Sequence, residues 1–218
     1  MNILIVDDHP LTVEGYHFSL SKHPFFQNNT IFSKAYDCES AYHLIHKSIE
    51  RQLPFDLAVI DLGLPPFEEK NLKDGTYLAR HIMEILPDCK IAIITAHTEI
   101  IIIYDIIKNT RPHALIVKND ITPHNLPLLL NDILEGKQVQ SETVKKCSQE
   151  IWKKELMLDD NNRLILLYLS KGNKLNDLHL LIPLAPATLK KRINKMKEAF
   201  SVSDTNCLIQ EAFKQGFV

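Results

Sequence analysis

Five short apolar runs recur through the first 136 residues of the chain, at Ile3–Val6, Thr30–Ala35, Asp56–Ile60, Lys90–Ile94 and His113–Val117. Between and after them lie amphipathic stretches at Leu11–Ser21, Glu39–Glu50, Gly75–Leu86, Glu99–Lys108 and Pro123–Leu134. Runs of four to six apolar residues suit strands buried on both faces, and the intervening lengths suit helical crossovers. Five βα units in succession predict a doubly wound α/β domain over residues 1–136, built on a five-stranded parallel sheet with helices on both faces. Pro10 suits the first turn of a helix, and Pro123 follows Thr122 as a second helix start with an N-cap.

In such a sheet the residues just past the strand ends converge on one rim, where ligands bind. Here those positions hold Asp7 and Asp8, Asp61, Thr95 and Lys118. Adjacent carboxylates repel each other unless a cation sits between them, and carboxylate oxygens are hard ligands suited to Mg²⁺. An Asp carboxylate can itself act as a nucleophile toward phosphorus and form an acyl phosphate. Lysine then neutralises a phosphate oxygen as a point charge, and a threonine hydroxyl donates a hydrogen bond to another. The rim therefore reads as a divalent-metal site facing a phosphoryl group.

The segments that carry this rim, Ile-Val-Asp-Asp-His-Pro from Ile5, Val-Ile-Asp-Leu-Gly-Leu-Pro from Val59, Ile-Ile-Thr-Ala-His from Ile93 and Leu-Ile-Val-Lys from Leu115, resemble the receiver domain of two-component response regulators. The resemblance implies Asp61 as the phospho-acceptor and a Mg²⁺ site at Asp7, Asp8 and Asp61, with the backbone carbonyl of Gly63 as a further ligand. It implies that Thr95 and Lys118 contact phosphoryl oxygens. Three departures stand out. Residues Pro66–Lys73 intervene before Asp74-Gly75, Leu115 replaces the usual aromatic switch residue, and Asn119 stands where many receivers have proline.

Beyond Gly136, a polar segment without clear periodicity reads as a linker over 137–150, partly helical near Val144. Residues 151–218 are helical in pattern, with segments near Asn161–Lys171, Leu175–Leu181, Pro186–Phe200 and Asp204–Lys214 separated by Gly172, Pro183 and Ser201–Ser203. This back part carries eleven Lys/Arg against seven Asp/Glu, a net +4, whereas the first 150 residues carry fourteen against twenty, a net −6. The basic excess favours a polyanionic partner. Within Lys190–Lys197 five of the eight residues are basic and none is acidic. Helical spacing turns Leu189, Ile193, Met196 and Phe200 toward a core and leaves Lys190, Lys191, Asn194 and Lys197 outside. A cationic helix of this kind fits the DNA major groove, where lysine reaches guanine or phosphate and asparagine pairs with adenine.

The run from Gly172 through Thr188-Leu189-Lys190 to Val202, Ala212 and Gly216 resembles the LuxR/NarL class of helix-turn-helix domains. That resemblance implies base contacts from Lys190, Lys191 and Asn194, and phosphate contacts from Thr188, Arg192 and Lys195. It also implies dimerisation through the C-terminal helix. His179 replaces the small alanine usual in the first helix of the motif, where its bulk is expected to widen the angle between the helices.

The composition, 45% hydrophobic and 24% charged, is that of a globular protein, and no apolar run is long enough to span a bilayer. A cytoplasmic location without membrane association is expected, with Cys38, Cys89, Cys147 and Cys207 as reduced thiols. The leading expectation is a DNA-binding transcriptional response regulator, phosphorylated on Asp61 by a sensor histidine kinase and active as a homodimer. DNA binding independent of phosphate, and a phospho-dependent protein-binding adaptor, stay open beside it. An enzyme is not expected, because Gly63 occupies the place two residues after Asp61 where phosphohydrolases carry a general acid.

Overall fold

The structure is a computed structural model that describes residues 1–27 and 29–218. The chain divides into two compact units, Met1–Lys145 and Lys146–Val218.

In the first unit, β1 (Asn2–Val6), β2 (Ile31–Ala35), β3 (Leu57–Asp61), β4 (Lys90–Thr95), β5 (Ala114–Val117) and β6 (Val139–Gln140) form one sheet in the order β2-β1-β3-β4-β5-β6. Every pairing is parallel. The strands alternate with α1 (Pro10–Lys22), the short α2 (Pro24–Gln27), α3 (Cys38–Glu50), α4 (Gly75–Ile85), α5 (Ile100–Asp105) and α6 (Leu126–Leu134). Ile3, Leu4, Ile5, Leu57, Ile60, Ile91, Ile93 and Ile116 are completely buried, as a sheet covered on both faces requires. Removing such a side chain costs about 2–5 kcal/mol, because the surroundings close the cavity only partly. Pro10 opens α1 as expected.

Parts of the sequence reading are corrected. The sheet has six strands rather than five, the sixth lying in the stretch expected as a linker, 137–150, while the helix expected near Val144 is the start of α7 (Glu142–Leu158). A two-residue strand is too short to carry an alternating pattern, so only pairing with β5 reveals it: Ala114 lies beside Val139 and Leu115 beside Gln140. Pro123 does not open a helix. α6 begins at Leu126, because Thr122 and Asn125 exchange hydrogen bonds, Asn125 Oδ1 accepting from Thr122 N–H at 2.7 Å and Thr122 Oγ1 from Asn125 N–H at 3.1 Å, which closes a turn first. The amphipathic stretch from Glu99 also ends differently, α5 passing at Ile106 into a π turn that ends at Thr110.

The second unit is helical throughout. After α7 come α8 (Asp160–Ser170), a 3₁₀ turn (Leu175–Leu180), α9 (Pro186–Ala199) and α10 (Thr205–Lys214). Gly172, at φ 86°, ends the α8 segment in the left-handed conformation that glycine adopts without steric cost. Leu189, Ile193, Met196 and Phe200 pack with Ile165, Leu166, Leu178, Leu208 and Ala212 in one core, as the spacing in α9 predicts. His179 lies on the outside, its Nδ1 2.7 Å from the Asn176 carbonyl oxygen, so its bulk is not inserted between the helices.

Candidate functional site

Parallel register explains how the rim forms. Val6 lies beside Ile60, so Asp7 is level with Asp61 on the adjoining strand. Asp61 lies beside Ile94 and Thr95 beside Val117, which puts Lys118 two residues farther along, within reach of a four-carbon side chain folding back. The Lys118 ammonium does fold back, with Nζ 2.7 Å from Asp7 Oδ2 and 2.8 Å from Asp61 Oδ1. Both carboxylates are buried, Asp7 at 1% exposure and Asp61 at 7%. Burial alone would weaken proton binding by Lys118, but hydrogen bonds and charge from Asp61 and Asp7 outweigh it and hold the ammonium above the ordinary lysine value. The same field reaches Tyr16, whose phenol is raised chiefly by burial and further by Asp7 and Asp61.

Asp8 is about one third exposed and joins the rim through His9, whose Nδ1 lies 2.6 Å from Asp8 Oδ1 and 3.3 Å from Asp7 Oδ1. Ligand atoms of Asp7, Asp8 and His9 all lie within 4.8 Å of one another. Three carboxylates against one ammonium leave the rim with two negative charges, and its donors are hard oxygens. That donor set fits a divalent cation of the Mg²⁺ type.

Two glycines hold the Asp61 loop. Gly63 N–H donates to Asp61 Oδ2 at 2.7 Å, a contact the sequence reading missed in assigning Gly63 only a carbonyl role. A Cβ on Gly75 would lie 1.9 Å from the Asp61 carbonyl oxygen, so only glycine fits there, and Gly75 N–H donates to the Leu62 carbonyl at 3.0 Å. Asp74 caps α4 by accepting from Thr76 N–H and Tyr77 N–H. The inserted residues before it close on themselves through a Phe67–Leu72 bridge, with both side chains buried. Thr95 is fully buried at the end of β4, and its hydroxyl oxygen accepts from His97 N–H at 3.0 Å. Among the described residues no hydrogen bond joins Thr95 to Asp61 or Lys118, so the rim is drawn together at Asp7, Asp61 and Lys118, with Asp8 alongside. A groove of about 620 Å³ opens next to it, lined by Gly63, Asp74, Thr76, His97, Ile101 and Tyr104 among others.

In the second unit, Thr188, Lys190, Lys191, Asn194 and Lys195 are all exposed on α9. Arg192 is different. Its Nη1 lies 2.9 Å from both Asp159 Oδ2 and Asn162 Oδ1, and Asn162 is itself buried and donates to the Leu156 carbonyl. Arg192 therefore ties α9 to the start of α8 while lining one groove with Thr188, Lys191 and Lys195. The Arg192 guanidinium holds the Asp159 carboxyl below the usual carboxylate range.

No family model matches the chain. It is 24% identical over 220 residues to the "Probable transcriptional regulatory protein NarL" of Mycobacterium tuberculosis, across 99% of this chain and 94% of that protein. The RcsB response regulator of Salmonella typhimurium aligns over 98% of both chains, with a TM-score of 0.58 and 20% identity. The two-component response regulator RcsB in complex with DNA gives 0.57 and 19%, over 98% of both chains. A LuxR-family response regulator from Aurantimonas sp. SI85-9A1 covers 68% of this chain and 96% of its own, with a TM-score of 0.55 and 24% identity. The chain has the fold of a two-component response regulator of the receiver plus LuxR-type class.

In the first unit Leu115 is buried in β5, and the strand's far edge is taken up by β6. Just past Lys118, both Asp120 carboxylate oxygens accept from Thr143, from its N–H at 2.9 Å and its hydroxyl at 3.0 Å. The Ser141 hydroxyl oxygen also accepts from Val117 N–H at 3.1 Å. Neither Asp120 nor Ser141 carries a local sequence signal, because each acts on a residue more than twenty positions away.

Proposed function

We propose that this protein is a DNA-binding transcriptional regulator controlled by phosphorylation of Asp61. The observation that carries the reading is the Lys118 ammonium held between two buried carboxylates at a parallel-sheet rim. An Asp61 carboxylate oxygen attacks the phosphorus of a phosphodonor, either a histidine kinase's phosphohistidine or a small acyl phosphate. An O–P bond forms, and the donor's P–N or P–O bond breaks with its electron pair leaving on the donor. Mg²⁺ at Asp7, Asp8, Asp61 and the Gly63 carbonyl would shield the negative charge of the incoming phosphoryl group. Gly63 N–H fixes one Asp61 oxygen, so the carboxylate is oriented before reaction. Lys118, already at Asp61, follows the new charge to a phosphoryl oxygen, and the Thr95 hydroxyl serves a second one after exchanging its His97 partner.

In the second unit Lys190, Lys191 and Asn194 face base edges, with Thr188 and Lys195 on phosphates, and two copies of the chain bind paired half-sites. Arg192 lies beside Thr188, Lys191 and Lys195, ties the helix to Asp159 and Asn162, and is a further phosphate candidate. Regulation without enzymatic turnover agrees with the name of the Mycobacterium tuberculosis relative and with the solved RcsB–DNA complex. Among the described residues no helix is long and apolar enough to cross a membrane.

The test is transfer of radiolabel from acetyl phosphate with Mg²⁺ present, followed by a gel shift on genomic fragments selected by the protein. Label should reach the wild type and be absent from Asp61→Asn, and the labelled form should bind the selected DNA more tightly. Label retained on Asp61→Asn rejects the acceptor. Equal DNA affinity with and without label favours DNA binding that does not respond to phosphate, the reading to which the buried Leu115 lends weight.

A further inference from the structure

Away from the rim, the outer face of the α3–α4 pair carries a group of rings for which the phosphorylation reading has no use. Tyr42 and His46 lie one turn apart on α3, and His81 faces them from α4. The Tyr42 ring centroid is 4.1 Å from that of His46 and 5.3 Å from that of His81, nearly parallel to the latter at 20°. Phe67 of the inserted hairpin meets the edge of Tyr42 at 5.6 Å. Packing on several sides limits the ways in which either imidazole can turn. In this arrangement His46 Nε2 and His81 Nε2 point at each other, 3.4 Å apart.

That separation is long for a strong hydrogen bond between ring nitrogens. It does match an edge of a metal tetrahedron. With metal–nitrogen bonds of about 2.0–2.1 Å and tetrahedral angles, two ligand nitrogens lie about 3.3–3.4 Å apart. We propose that His46 and His81 form a clip for a divalent transition metal of the Zn²⁺ class, joining α3 to α4 through their Nε2 atoms. Imidazole nitrogens favour Zn²⁺, Ni²⁺, Co²⁺ or Cu²⁺ over Mg²⁺, so this site is distinct in chemistry from the oxygen-rich rim.

Two further observations agree. Burial, reinforced by the neighbouring His46, lowers the proton affinity of His81, which keeps the imidazole neutral as a ligand must be. Glu84, one turn along α4 from His81, and Glu50, one turn along α3 from His46, lie on the ligand-bearing sides of their helices. Among the described residues Asp7, Asp8 and His9 are the only three such side chains with ligand atoms already within 4.8 Å of one another. The histidine clip is therefore a two-donor site completed by water or by one of these carboxylates. Lys70 lies over the Tyr42 ring, 5.6 Å from its centroid, and His43 pairs with Glu39. Among the described residues none of these three side chains contacts the Nε2 atom of His46 or His81. Bound metal would brace α3 and α4 beside the hairpin that follows Asp61, and its existence does not depend on Asp61 being an acceptor.

The experiment uses tag-free full-length protein titrated with Zn²⁺, followed by calorimetry and by imidazole ¹⁵N resonances. The expected result is one ion per chain at this site, with Nε2 shifts at both His46 and His81. His46→Gln and His81→Gln, which keep bulk and polarity, should each weaken binding about tenfold or more. Asp8→Asn, which removes a carboxylate from the rim, should leave those two shifts in place. Saturating Zn²⁺, at about 100 times its Kd, should raise the melting temperature of the first unit by roughly 5 °C. Shifts confined to His9, or Zn²⁺ affinity unchanged in both glutamine variants, would overturn the proposal.

Discussion

The rim of the first unit and the outer face of α9 are both made of charged residues, yet they are built in opposite ways. At the rim, Asp7 and Asp61 are taken out of water and Lys118 is clamped between them. On α9, Lys190, Lys191 and Lys195 stand in solvent. Buried charges in contact are held in one geometry because leaving any of them unpaired is expensive, which suits a site that must orient a small reactive group. Exposed cations cost little to maintain and keep their charge available, which suits a surface that exchanges counterions with a polyanion. Arg192 shows the difference within one helix, since pairing with Asp159 and Asn162 makes it part of the architecture.

The contrast predicts unequal responses to substitution. The largest stability effect is expected for Lys118→Ala, which strands two buried carboxylates. The first unit should lose about 2–3 kcal/mol, less than for a fully buried pair because the lysine is partly exposed, as measured by urea unfolding followed by circular dichroism. No loss would show that the rim is solvated like α9. Arg192→Ala should cost the second unit about 1 kcal/mol, the pair being more than a third exposed on the Asp159 side. Trp152, the sole tryptophan, lies in that unit and reports its unfolding by fluorescence. Lys195→Ala should leave that transition within about 0.5 kcal/mol and instead reduce the salt slope of DNA binding by about one.

Asp120→Ala should remove about 1 kcal/mol from the start of α7, by analogy with loss of a helix cap, and speed amide exchange at Thr143. Exchange unchanged there would mean that the β6 pairing alone holds this end.

The smallest effect concerns His113, whose Nδ1 accepts from Ile91 N–H at 3.1 Å. Burial, with a contribution from Lys90, lowers its pKa below the ordinary 6.5. A histidine whose folded pKa is depressed stabilises the fold fully above pH 6.5, and that contribution is lost as pH falls through the folded value. The melting temperature of the first unit should therefore drop between pH 7 and pH 5, and drop less in His113→Gln.

The pattern of apolar runs was enough to read five parallel strands and the strand-end positions of Asp7, Asp61, Thr95 and Lys118, because each is a local property of a strand and the residue after it. The helical spacing of Leu189, Ile193 and Met196 was equally readable, for the same reason. Tertiary structure decided the rest. It added β6, a strand of two residues that exists only as a partner of β5. It chose which cations stay free, folding Arg192 back onto Asp159 across thirty-three positions of chain. It also brought His46 within reach of His81. Such contacts depend on how helices and strands are packed, and no window along the sequence contains both partners.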